Sequence, residues 1–201
     1  MSDFSSAPGA QASLGQSIFE RVVLAMELWQ AFGKVFLSSI FMLSMVVKLR
    51  DFGRIRRQLS ETLPTGQFMA ALLAGGAIGA ESVIAIILWV GPWASFGFLA
   101  AAVLLIAFSL FLGYLLISNS GAACACFGSS ERPASGVHLG RNAVLFLVAA
   151  SCTAASRSAS APSLDDYLIV LAPALTGTAM VARLDDISAF FNLQTSGSYK
   201  A

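Results

Sequence analysis

Residues 94–118 read ASFGFLAAAVLLIAFSLFLGYLLIS, an apolar run without a single Asp, Glu, Lys or Arg. A helix rises 1.5 Å per residue, so about 20 apolar residues match the roughly 30 Å hydrocarbon core of a bilayer. The rest of the chain points the same way, since 57% of its 201 residues are hydrophobic and only 11% are charged. A soluble domain carries about 25% charge because its surface must face water. With a mean hydropathy of +0.77, the chain is expected to be an all-α integral membrane protein.

Outward from that run, residues 68–90 form a second span interrupted by one charge, Glu81. Gly91-Pro92 separates the two with turn chemistry, which predicts an antiparallel helical hairpin. Gly75, Gly76 and Gly79, with several alanines, are expected to let this helix approach a neighbour closely. An earlier span is expected over 28–47, with Lys34 snorkelling or facing the bundle. Before it, Phe19, Val22, Val23, Met26 and Trp29 share one face while Glu20, Glu27 and Lys34 recur on another, an amphipathic N-terminal helix. Residues 1–15 read as a disordered, solvated tail with no signal-peptide pattern. A fourth span is expected over 139–155. A fifth is expected over 167–182, where Pro173 interrupts the run and demands neighbours that satisfy the freed carbonyl. Residues 16–183 thus form one transmembrane helical domain, followed by a tail over 184–201.

Charge sets the expected orientation. Lys48, Arg50, Arg54, Arg56 and Arg57 crowd the connection after the first span, whereas the Gly91-Pro92-Trp93 turn holds no basic residue. The positive-inside rule puts the 48–66 connection in the cytoplasm and the N-terminus outside, in a bacterial inner (plasma) membrane. By span counting the connection at 119–138 is cytoplasmic too. A net charge of +1 argues against attraction to nucleic acid.

The chemistry is concentrated in Cys124-Ala125-Cys126-Phe127-Gly128, within the 119–138 connection. Two cysteines one residue apart can bond only where the backbone leaves the helix, and Gly128 permits a turn there. A ring closed over so few residues tends to be strained and readily reduced. Arg132, His138 or Arg141 folded over the pair would lower a thiol pKa. Three readings stand: a redox-active pair, a static disulfide or inert thiols, and a metal site. The last lacks the ligand spacing of zinc, so no metal is expected. Cys152, in Ala-Ser-Cys-Thr-Ala-Ala, reads as a small packing residue, and His138 as a loop residue. Glu81, a carboxylate within a span, must be protonated, paired or facing a polar cavity. Lys48, Arg50 and Lys34 are its candidate partners, for a structural ion pair or for a proton-relay or quinone site. No haem, flavin or nucleotide motif is readable, and a quinone leaves no sequence signature. A transporter reading is disfavoured because no further intramembrane charge or pair of broken helices accompanies Glu81.

With these motifs placed, the chain resembles the MauE/DoxX group of small redox-associated membrane proteins, and within it the methylamine utilisation MauE branch. The likeness covers roughly residues 30–155 and is carried by Leu43-Ser44, Lys48-Leu49-Arg50-Asp51-Phe52, Leu63-Pro64, Glu81, Cys124-x-Cys126-Phe127-Gly128 and Arg141-Asn142. It implies a four-helix transmembrane bundle core, to which this chain adds the N-terminal amphipathic helix and the fifth C-terminal span. It also implies thiol–disulfide chemistry at Cys124 and Cys126 that supports maturation of exported proteins. Glu81, Lys48, Arg50, Arg141 and Asn142 would be supporting residues, and a thioredoxin-like or redox client protein the partner. The two additions suit a second reading, in which the chain is a non-catalytic subunit or assembly factor of a larger membrane complex and the cysteines form a structural clip.

Overall fold

The computed structural model describes residues 8–62, 66–117, 136–156 and 161–184, with side chains from residue 18 onward, that of Pro92 excepted. Among the described residues there are six α-helices and no strand: α1 (Pro8–Arg50), α2 (Phe52–Thr62), α3 (Gln67–Ile87), α4 (Ala94–Ile117), α5 (Gly136–Ala155) and α6 (Leu164–Ala182). All except α2 are long and apolar enough to cross a membrane, so the chain is an integral membrane protein with five candidate spans. Inside a bilayer each backbone N–H and C=O must find its partner within the protein, and a continuous helix achieves this locally.

The amphipathic segment and the first span are one helix. At 43 residues, α1 is about 64 Å long, roughly twice the hydrocarbon thickness. It begins at Pro8, within the stretch read from sequence as a solvated tail; Ala10 and Ala12 favour helix, and proline is tolerated in a first turn. Residues 1–7 lie outside the described residues. The chain turns at Asp51, whose N–H reaches Val47 O at 3.1 Å and whose carbonyl accepts from Arg54 N at 3.0 Å.

Where a span over 68–90 is expected, α3 stops at Ile87. Trp89 and Val90 close a turn by donating to Ile86 O and Ile87 O, and a 3-10 turn at Gly91–Trp93 leads into α4. Here a close approach needs glycine, because a Cβ on Gly97 would lie 3.1 Å from Leu88 N. At its start α6 carries a capping box, with Ser163 Oγ accepting from Asp166 N (3.3 Å) and Ser163 N donating to Asp166 Oδ2 (2.7 Å). Pro173 sits inside α6 without ending it.

α1 packs on α3, α3 on α4, α4 on α5 and α5 back on α1, which closes a ring of four helices. α6 lies outside the ring, chiefly against α1, and α2 lies against α3. The ring interior holds Leu37, Ile40, Leu88, Phe98, Leu105 and Leu145, all essentially inaccessible. Outward-facing side chains are just as apolar, Phe68, Leu110, Ile117 and Leu168 among them, as a surface solvated by acyl chains requires.

Two expectations are corrected here. Gly75, Gly76 and Gly79 do not mediate close packing among the described residues, where a Cβ at any of them would meet nothing within 4 Å. The inward stripe of α3 is instead Ala70, Ala74, Ile78, Glu81 and Ala85, whose small residues at helical spacing do the packing. His138 is not a loop residue: α5 starts at Gly136, and His138 is buried in its first turn.

Candidate functional site

The directions of the helices decide which polar residues share one end of the ring. A Cβ on Gly33 of α1 would touch Phe98 of α4 at 3.2 Å, whereas Lys48 Nζ stands 4.6 Å from the ring centroid of Phe108, further along α4. α1 and α4 therefore run in the same direction. α5 runs oppositely to α1, because its last residues meet α1 near Trp29. Trp29 Nε1 donates to Ser151 Oγ at 3.0 Å, and Gln30 Nε2 donates to Ala155 O at 3.4 Å. The C-terminal end of α1, the C-terminal end of α4 and the N-terminal end of α5 thus lie together, and the 118–135 segment that joins α4 to α5 starts and finishes there.

That end of the ring is polar inside. Lys48 and Glu81 form a buried ion pair through Glu81 Oε1, which also accepts from Ser44 Oγ at 3.0 Å. Ser44 and Lys48 are four apart on α1 and so present one face to α3. Glu81 is 1% exposed and Lys48 6%, so both charges have left water and are held by each other. The second oxygen of Glu81, Oε2, has no hydrogen-bond partner among the described residues. His138, Arg141 and Asn142 are buried on the first turns of α5, at the same end.

Of the residues singled out from sequence, Glu81 and Lys48 are brought into contact. Arg141 and Asn142 are buried on α5, in the same half of the bundle. Arg50 is not part of this cluster: it is exposed, at the elbow between α1 and α2. Lys34, the other candidate partner of Glu81, is committed elsewhere. Its Nζ donates to Tyr167 Oη of α6 at 3.2 Å and lies 5.9 Å from that ring's centroid. Cys124 and Cys126 lie outside the described residues, as does Arg132. Cys152 is the packing residue it was read as, fully buried against Gly33 with its Sγ 3.6 Å from Trp29 O. Ser44, singled out from sequence only within the Leu43-Ser44 pair and without a role, and Phe108, not singled out at all, also belong to the cluster. The four-residue spacing of Ser44 and Lys48 was the available signal for the first; the second had none.

The Lys34–Tyr167 contact carries a direct expectation. Tyr167→Phe keeps the aromatic ring, which stacks on Trp89 with centroids 5.5 Å apart, and removes only the acceptor of a buried ammonium. A loss of about 1.5–3 kcal/mol is expected, the range for hydrogen bonds to charged groups. It is read as a lowered unfolding midpoint in detergent. An unchanged midpoint would mean that Lys34 does not depend on this hydroxyl.

Residues 26–155 match the family model described as methylamine utilisation protein MauE. No curated protein and no solved structure gives a match.

Proposed function

The chain belongs to the methylamine utilisation protein MauE family, and from that premise we propose that it is a membrane thiol–disulfide redox protein. In this reading Cys124 and Cys126 are the reacting pair, and the substrate is a disulfide-containing or redox partner whose maturation they support. The observation that carries it is the position of the pair within the matched residues, on the segment that leaves and re-enters the ring at its polar end. A thiolate of the partner attacks the Cys124–Cys126 disulfide to form a mixed disulfide. A second partner thiolate then resolves it, leaving the partner oxidised and both cysteines reduced. Two electrons and two protons return the pair to the disulfide by passing to an acceptor, for which a quinone of the membrane is the fitting class. Arg141 and Asn142 support the segment from α5, the helix it leads into, and Lys48 and Glu81 by joining α1 to α3 at the same end of the ring.

The architecture that goes with this function is a membrane core of four helices, α1, α3, α4 and α5. α6 is a fifth span, and the first part of α1 is an amphipathic extension. The five basic residues between Lys48 and Arg57 favour a cytoplasmic location for the α1–α3 connection, for the cysteine segment and for the C-terminal end of α6. The N-terminus is then outside, in a bacterial inner membrane.

Cys124→Ser with Cys126→Ser is expected to reduce client maturation to the level of cells lacking the protein, while membrane abundance stays unchanged. Normal maturation by this double variant would sink the reading. The specific support for the alternative, a non-catalytic subunit or assembly factor, is apolar surface outside the matched residues: Ile18, Phe19, Val22 and Leu24 on α1 are all exposed. If that alternative holds, the cysteine variant keeps client maturation, and changes to those four residues abolish it.

A further inference from the structure

Outside the polar end of the ring, the strongest concentration of charge is the elbow where α1 gives way to α2. Arg50, Arg54 and Arg57 line an open recess of about 380 Å³ together with Asp51, Gly53 and Gln58. Arg54 and Arg57 stand three residues apart on α2, the spacing that brings side chains to one helical face, and Arg50 joins them from the end of α1. All three are exposed, and none forms an ion pair among the described residues. With one carboxylate against three guanidinium groups, the recess is cationic and rich in fork-shaped donors suited to phosphate oxygens.

The surroundings specify what kind of phosphate fits. α2 turns a half-buried face of Phe52, Ile55 and Leu59 inward and packs against α3. Beside it, the first turns of α3 expose Phe68, Met69 and Leu72, a surface that acyl chains cover in a membrane. At the other end of the bundle, exposed Trp89 and Trp93 mark the opposite headgroup layer. α4, with 24 residues, spans about 36 Å from that layer towards the end where α2 lies, enough to cross the hydrocarbon core. The recess therefore sits at headgroup depth, on a helix that packs against the apolar α3.

We propose that the α1–α2 elbow binds an anionic glycerophospholipid, with the headgroup phosphate held by Arg50, Arg54 and Arg57 and the acyl chains lying along the first turns of α3. A free inorganic anion would use the arginines but gain nothing from Phe68, Met69 and Leu72.

The test is native mass spectrometry of the full chain in a neutral detergent, titrated with phosphatidylglycerol or phosphatidylcholine. Phosphatidylglycerol should bind at least about tenfold more tightly, given the contribution of each basic residue near an anionic lipid surface. Arg50→Gln, Arg54→Gln and Arg57→Gln together should erase that preference. Arg56→Gln removes the same charge from α2 without touching the recess, and it should leave the preference intact. An Arg56→Gln loss as large as the triple one would overturn the site in favour of diffuse attraction. Retention of the preference by the triple variant would also overturn it, and so would displacement of the lipid by millimolar inorganic phosphate. Should the triple variant not remain monodisperse, Arg54→Gln and Arg57→Gln are measured singly against Arg56→Gln, with a several-fold loss expected in each and an unchanged preference decisive against the site.

Discussion

Glu81→Leu is expected to destabilise the protein by about 3–5 kcal/mol, the usual result of removing one partner from a buried ion pair. The Lys48 ammonium would remain enclosed, with the Phe108 ring 4.6 Å away, and Ser44 would lose its bond to the Glu81 carboxylate. Lys48→Met should be comparably harmful, because it strands a carboxylate that is 1% exposed. The double variant Lys48→Met with Glu81→Leu distinguishes an ion pair from mere packing. Replacing both charges by apolar groups of similar volume removes the desolvation penalty along with the attraction, so most of the lost stability should return. Equilibrium unfolding of the four proteins in one detergent gives the coupling energy directly. If the double variant is as unstable as the sum of the singles, the two charges act independently and the pair does not hold α1 to α3.

A second large effect is expected at Gly33→Ala. An added Cβ there would overlap Cys152 Sγ and stand 3.2 Å from Phe98, so α1 and α5 would have to separate or the sulfur would have to move. Cys152 is fully buried, its Sγ directed at the Trp29 carbonyl, and a packed interior leaves it nowhere to go. Overpacking of this kind costs about 1–3 kcal/mol, and Gly33→Leu should prevent assembly of the ring. Cys152→Ala clears the space, so Gly33→Ala with Cys152→Ala should recover to near the stability of Cys152→Ala alone. The check is the same unfolding midpoint for the four combinations. A Gly33→Ala protein as stable as the parent would show that the helices are not in contact there.

The spans were legible because lipid leaves little freedom: an apolar run long enough to cross must be helical. Their ends were less so. α3 stops at Ile87 because the turn before Pro92 is closed by local hydrogen bonds, whereas apolarity alone continues to Val90. Which small residues pack was not legible either, since glycine and alanine both permit close approach and only the rotation of α3 selects Ala70 and Ala74 over Gly75 and Gly76. Sequence narrowed the partner of Glu81 to Lys34, Lys48 and Arg50. The choice depended on tertiary register, which sends Lys34 to Tyr167, Arg50 to the surface and Lys48 inward. The assignment of His138 to a loop failed because polar composition around it masked a helix that starts at Gly136. The thiol pair, the most specific signal in the sequence, lies outside the described residues.

The ring closes without α6, and the family match ends at residue 155, before α6 begins. α6 is in that sense an addition packed on the outside of the ring. Lys34 ties it to the ring, because the hydroxyl that its ammonium meets belongs to α6. A lineage that discarded the last helix and kept this lysine would inherit a cation with lipid where its acceptor had been. The last helix thus supplies the hydroxyl that a buried charge on the first one meets.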